Sequence, residues 1–314
     1  MRTISFGGFD SSFIDSLKLA ASEAALEVAD PGKADIHLHL NPYLKSLPAS
    51  PKSTVAVIAE PVIVRPDLYK ERIFRSYLDC ITISSERAQR LGINTIIDLP
   101  VHPPELYSSE AVRDRRICLV AGHKFSASKF SNYGLRRKLL KSDFSKQIDL
   151  YGPDWLDPVW LELRRRTFAA RLQLSHLGDF SVSECLGDVG KVFTSYKGIM
   201  DSNFNLMSRY QLSLVIENQS DYVSEKVWIS MARGAVPLYI GPSLKLISPN
   251  LANSVFQVEP NLKAIGNIID NASEEEIVQK RQSGYNFLKG DWILKRSAKH
   301  IARRYIDYVK EMYV

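Results

Sequence analysis

The sequence predicts an α/β protein of two units, each built on an open, largely parallel sheet, with a cleft between them, and three observations carry that expectation. The chain has 314 residues, more than a single core of roughly 100–200 residues needs. Short apolar runs alternate with segments of helical period along most of its length, the pattern of parallel sheets crossed by helices. A break at Val101-His102-Pro103-Pro104, followed by charges ending in Arg113-Asp114-Arg115-Arg116, separates two such series, because consecutive prolines and solvated charges seldom lie inside a core. We expect an N-terminal domain over 1–110, a C-terminal domain over 111–290 and a terminal helix over 291–314.

The first series places strands at 3–6, 25–28, 35–40, 54–60, 80–84 and 95–99, each a short run rich in Val, Ile, Leu or Thr, with helices at 12–23 and 66–77. The second places strands at 117–121, 148–151, 212–216, 236–240 and 254–258, and helices at 133–141 and 223–233. Residues 156–177, with Arg164, Arg165, Arg166 and Arg171, read as an inserted basic helix whose charged face is solvated. At the C-terminus Leu294, Ala298, Ile301, Tyr305, Tyr308 and Met312 recur at spacings of four and three, one stripe of an amphipathic helix. Such a stripe packs on a core or, with the basic residues beside it, rests on an anionic membrane surface.

Composition narrows the classes further. Hydrophobic residues make up 45% and charged residues 24%, which excludes disorder as the main state. No apolar run reaches the roughly 18–20 residues of a membrane span, and the N-terminus lacks the apolar region of a signal peptide. Cys80, Cys118 and Cys185 are distant in sequence and odd in number, fitting neither a disulfide framework nor a zinc spacing. A cytoplasmic location, peripheral at the inner face of a membrane if the terminal helix binds lipid, follows as the expectation. The net charge of +6 arises from 41 basic and 35 acidic residues, too small an excess for a nucleic-acid binder. It suits a phosphate-bearing small molecule, an anionic glycan or a membrane surface.

The stretch richest in chemistry runs from Tyr210 to Trp228 and on through Gly234-Ala235-Val236-Pro237 to Gly241-Pro242. A buried strand ends at Glu217, a polar loop follows, and Asp221 or Ser224 is placed to cap a helix with Glu225 and Lys226 in its first turn. A lysine there opposes the helix dipole, which an anionic ligand would explain. Carboxylates such as Glu217 and Glu225 accept hydrogen bonds from sugar hydroxyls. Singly, each residue reads equally as a strand end or a solvated surface pair; together they describe a platform for a phosphate-bearing ligand.

This stretch resembles the donor-binding motif of the glycosyltransferase family ten fucosyltransferases. It reproduces Glu217-Asn218, Asp221-Tyr222, Glu225-Lys226, Gly234, Pro237 and Gly241, with Ser224 where the family has Thr. Weaker likeness extends through 124–138, Asp149-Leu150-Tyr151-Gly152 and Tyr196-Lys197-Gly198. The resemblance implies a GT-B architecture, two Rossmann-like domains facing a central cleft, with the terminal helix packing back on the N-terminal one. It implies a glycan acceptor, GDP-fucose as donor, inversion at the anomeric carbon, and Asn218, Tyr222, Ser224, Glu225 and Lys226, beside Glu217, as donor contacts. The arginine that family members place before the Glu-Asn strand has no clear counterpart. Lys197 is our substitute and Lys191 the second choice, although a lysine lacks bidentate geometry.

Inversion by single displacement needs a general base. Glu60 ends the apolar run Val55 to Ala59 at the carboxyl end of a strand, where α/β sites form, and the family has a glutamate after its corresponding strand. Asp35, His37 and His39 share one strand face; they suggest a polar sheet face, since a zinc site would need further ligands. His123-Lys124 ends another strand and reads as a solvated loop or a phosphate contact. Arg136-Arg137-Lys138 reads as helix surface, with Arg136 able to face the diphosphate. No Asp-x-Asp motif accompanies the donor segment, so no metal or other cofactor is obligatory in this scheme. Two alternatives stay open: a GT-B enzyme using another nucleotide sugar, and a noncatalytic binder of nucleotide sugars or polyanions.

Overall fold

The computed structural model describes residues 2–60, 64–83, 89, 91–93, 95–101, 106, 113–124, 131–155, 193–201, 204–219 and 223–314. The inserted helix expected at 156–177, together with Asp221, Tyr222 and Lys191, lies outside them. The chain forms two compact units, one of Met1–His102 with Gly290–Val314, the other of Pro103–Lys289.

In the first unit β1 (Thr3–Gly7), β2 (Glu27–Val28), β3 (Ile36–Leu40), β4 (Thr54–Ile58), β5 (Asp79–Thr82) and β6 (Thr95–Ile96) make one parallel sheet in the order β2-β1-β3-β4-β5-β6. The β-branched run of β4 is buried at every position, as a central parallel strand covered on both faces must be. Helix α1 (Ser11–Glu23) starts at Asp10, whose carboxylate accepts the Phe13 amide at 2.9 Å. Ala25 then takes a left-handed conformation (φ 60°), so β2 begins two residues later than its apolar pattern suggests. The helix expected at 66–77 is instead a 3₁₀ turn, Pro66–Tyr69, and a single-turn helix α2 (Glu71–Phe74). The extended Lys70 (φ −83°, ψ 123°) separates them.

The second unit holds β7 (Asp114–Val120), α3 (Tyr133–Lys141), β8 (Ile148–Tyr151), β9 (Tyr196–Gly198), β10 (Tyr210–Ile216), α4 (Lys226–Ala232), β11 (Val236–Ile240), α5 (Pro249–Asn253), β12 (Phe256–Gln257), α6 (Leu262–Asn271) and α7 (Glu274–Leu288). Its sheet is parallel, in the order β12-β11-β10-β7-β8-β9. All seven residues of β10 are buried. Gly234 follows α4 at φ 74°, a conformation that terminates helices and suits glycine. Helices α6 and α7 are not among the elements expected from the sequence. Glu274, Glu275 and Glu276 in the first turn of α7, with Ser273 capping it, are the signals that mark its start.

The chain then returns to the first unit through α8 (Asp291–Leu294) and α9 (Ala298–Tyr313). These are two helices where the stripe suggests one, because Ser297 is extended and caps α9 through the His300 amide. Leu294 and Met312 are therefore exposed. The core contact runs through Ile301, Ala302, Tyr305, Ile306 and Val309, which join Phe13, Leu17, Ala20 and Ala21 of α1 in one cluster. No described helix is long and apolar enough to cross a membrane.

Candidate functional site

The carboxyl end of β10 gathers charge in a dry place. Glu217, the next residue, is 1% exposed; its amide continues the sheet to Ile240 O at 2.8 Å, and its Oε1 accepts the Ser224 amide at 2.8 Å. Burial pushes its carboxyl up to about 7, against the opposing pull of the Ser224 hydrogen bond. A Cβ on Gly241 would strike the Tyr239 hydroxyl and Glu217 Cγ, so the side chains pack there only because that residue is glycine. The Tyr239 hydroxyl is buried without a hydrogen-bond partner among the described residues.

The segment leading into α3 is stitched to this strand end. Ser131 pairs with Gln219, the Asn132 amide donates to Asn218 O at 3.1 Å, and Asn132 Nδ2 donates to Glu217 O at 3.0 Å. Arg136, one turn into α3 and 3% exposed, donates through Nη2 to Ile216 O and, at 2.9 Å, to Asn218 Oδ1. Among the described residues its Nε has no partner, nor does the buried Gln219 Oε1. Burial holds the Arg136 guanidinium down to about 10. Lys226 opens α4 beside it: burial first, then the charge of Arg136, lowers its ammonium to about 8, with Glu217 and Glu225 opposing and Lys124 adding to the fall. Buried Arg136 and half-buried Lys226 thus face Glu217, which burial pushes toward its neutral form, and the exposed Glu225, an arrangement suited to a multiply charged anion.

The sequence-derived candidates distribute unevenly over this geometry. Glu217, Asn218, Ser224, Glu225 and Lys226 come together. Helix α4 begins at Lys226 rather than Val223, and Glu225 takes the cap position without a side-chain hydrogen bond; Ser224 serves Glu217 through its amide and does not cap. Lys197 is not part of the cluster. It lies on edge strand β9, three strand spacings from β10, roughly 14 Å across the sheet, and its ammonium is 3.8 Å from Asp149. Arg136 and Arg137 are buried, not surface, and Arg136, unlike Lys197, reaches the end of β10. One signal for this was available: Arg136 sits at helical spacing i, i+3 and i+7 with Tyr133 and Leu140, so it shares their buried face.

His123 is buried and stacked on Trp155 with centroids 4.4 Å apart, which removes it from the solvated loop; Lys124 is exposed. In the first unit the Ser5 hydroxyl meets His37 Nδ1 at 2.8 Å, and His37 Nε2 meets His39 Nδ1 at 2.8 Å. Both nitrogens of His37 are therefore engaged, and burial lowers its pKa to about 4. Glu60, half-buried, stands two residues beyond β4.

No protein-family model matches the sequence, and no curated protein does. Solved structures match over almost the whole chain. TarM aligns at a TM-score of 0.55 and 12% identity over 95% of this chain, which spans 58% of that structure's length. HepE of Anabaena, in complex with UDP and glucose, aligns at 0.55 and 9% identity over 99% of this chain and 100% of its own. An alpha-glucosyltransferase in complex with UDP and a 13-mer DNA aligns at 0.51 and 9% identity over 99% of each chain. The chain has a GT-B fold. At these identities the likeness establishes architecture, and the chemistry must be argued from the residues.

Proposed function

We propose that this protein is a glycosyltransferase that moves a sugar from a nucleoside diphosphate sugar to a hydroxyl of a glycan, with the donor held at the carboxyl end of β10. The observation that carries this reading is buried Arg136 and half-buried Lys226 beside Gln219 Oε1, which has no hydrogen-bond partner among the described residues. A diphosphate would supply the missing negative charge, and Gln219 an acceptor for a donor hydroxyl or amine. The resemblance of 210–241 to family ten favours GDP-fucose as the donor, with Tyr222 as a donor contact and Glu225 accepting from its hydroxyls. A second reading, a UDP-sugar, is favoured by the HepE structures, which hold UDP with glucose or UDP-glucose. A lipopolysaccharide or another surface polysaccharide fits the acceptor class.

The chemistry proposed is a single displacement. The acceptor oxygen attacks the anomeric carbon while Glu60 takes its proton. The bond from that carbon to the phosphate oxygen breaks, and the nucleoside diphosphate leaves with the electron pair, its charge met by Arg136 and Lys226. The test is heat unfolding against a panel of GDP- and UDP-sugars. The true donor raises the midpoint, since a ligand at about 100 times its Kd stabilises by about 2.7 kcal/mol. GDP-fucose is expected to do so; a UDP-sugar acting alone selects the second reading, and no response to any nucleotide overturns both. Glu60→Gln with donor binding intact and turnover lost supports Glu60 as the base; turnover unchanged would assign the base to another residue.

A further inference from the structure

Glu60 is held by its backbone alone. Its amide, with that of Ala59, donates to one atom, Asn41 Oδ1, at 3.0 and 2.9 Å. Its carbonyl accepts the Tyr69 hydroxyl at 3.0 Å. Its carboxylate, in contrast, takes no hydrogen bond or ion pair from the described residues. Asn41 is itself fixed. It follows β3 at φ 47°, a left-handed conformation that asparagine adopts more readily than most residues, and its amide completes the sheet to Val57 O at 2.8 Å. Arg65, 7% exposed, holds Asn41 O at 2.7 Å and Pro42 O at 2.9 Å. Both oxygens of Asp67 accept from one edge of that guanidinium, at 2.9 Å from Nε and 2.8 Å from Nη2, and the Tyr43 ring covers it at 3.5 Å.

A loop turning off a strand would satisfy its amides with one neighbour apiece. Here an asparagine in an uncommon conformation spans two consecutive amides, and a buried arginine locks the asparagine. We infer that Asn41, locked by Arg65, is the positioning residue for Glu60: it sets the direction of the strand end and leaves the carboxylate unpartnered and ready to take a proton. This rests on the reading of Glu60 as the base. Such support matters because a base misplaced by about 1 Å loses on the order of 100-fold in rate.

The experiment measures release of GDP from GDP-fucose, or of UDP from UDP-glucose if that donor protects the fold, with water as acceptor, for the full chain and for Asn41→Ala, Asn41→Asp and Glu60→Gln. Glu60→Gln is expected to abolish release. Asn41→Ala should lower kcat at least tenfold while the donor KM stays within twofold. Asn41→Asp keeps the accepting oxygen, so its kcat at alkaline pH should return to within threefold of the unmodified chain. Its added negative charge beside Glu60 should move the acid limb of the pH–rate profile upward, because Glu60 then holds its proton more tightly. That shift also decides the matter if Asn41→Ala does not fold. An inactive Glu60→Gln beside a fully active Asn41→Ala, or an acid limb unmoved in Asn41→Asp, overturns the positioning role alone. Full activity in Glu60→Gln, or no release by the unmodified chain, overturns the base and the positioning role together.

Discussion

Lys226 has an ammonium whose charge depends on its company. With its pKa lowered to about 8 by burial and by Arg136, it is charged at neutral pH and loses its proton as pH rises through 8. A diphosphate prefers the charged form, so GDP affinity should be constant below about pH 7 and fall above pH 8. Titration calorimetry with GDP between pH 6.5 and 9.5 measures this. In Lys226→Ala the affinity at pH 7 should be at least about tenfold weaker, since a charge-assisted contact is worth roughly 1.5–3 kcal/mol, and the alkaline fall should vanish. An unchanged alkaline limb in that variant would remove Lys226 from the site. The proximity of Glu217, Asn218, Glu225 and Lys226 is legible in the sequence, where they lie within ten residues. Arg136 was misjudged because a helical arginine is usually solvated, and only the strand end it meets, Ile216 and Asn218, makes its burial favourable.

At the scale of elements, α9 binds the two ends of the chain together. Tyr305 is fully buried and meets Phe9 and Phe13 edge-on at 6.1 and 6.3 Å, and the Tyr308 and Tyr313 hydroxyls both donate to Asp79 at the start of β5. Arg296 pairs with Asp98 at 3.1 Å. Five α9 side chains enter the core of the first unit, and Ile301, Ile306 and Val309 alone are each worth roughly 1.5–3 kcal/mol when buried, against a total stability of about 5–15 kcal/mol. Truncation after Gly290 should therefore yield insoluble protein or a midpoint more than 10 °C lower, followed by circular dichroism. A truncated chain as stable as the full one, deficient only in binding anionic vesicles, would instead make α9 a membrane contact. The stripe Ile301, Tyr305 and Tyr308 was legible from spacing. The break at Ser297 was not, because a serine within a helical pattern serves equally as a surface residue or a cap.

For the molecule as a whole, the proposed site neutralises its diphosphate with side chains, Arg136 and Lys226 backed by Lys124. Transfer from the donor identified by thermal protection should then retain most of its rate in EDTA. Complete loss restored by a divalent cation would show that a metal shares that charge.

The parallel α/β class and strands such as β4, β8, β10 and β11 follow from sequence alone, because a strand covered on both faces must be apolar throughout whatever its neighbours. So does the stretch from Tyr210 to Gly241 on which the proposed donor site rests. Tertiary structure alone decided what depends on residues distant in sequence. It withdrew Lys197 to the edge strand beside Asp149, brought Arg136 to β10, and set Asn41 under the amide of Glu60. Each of these pairings is a hydrogen bond or ion pair between separate strands and helices, and its partner is chosen by sheet order and register, which local periodicity does not encode.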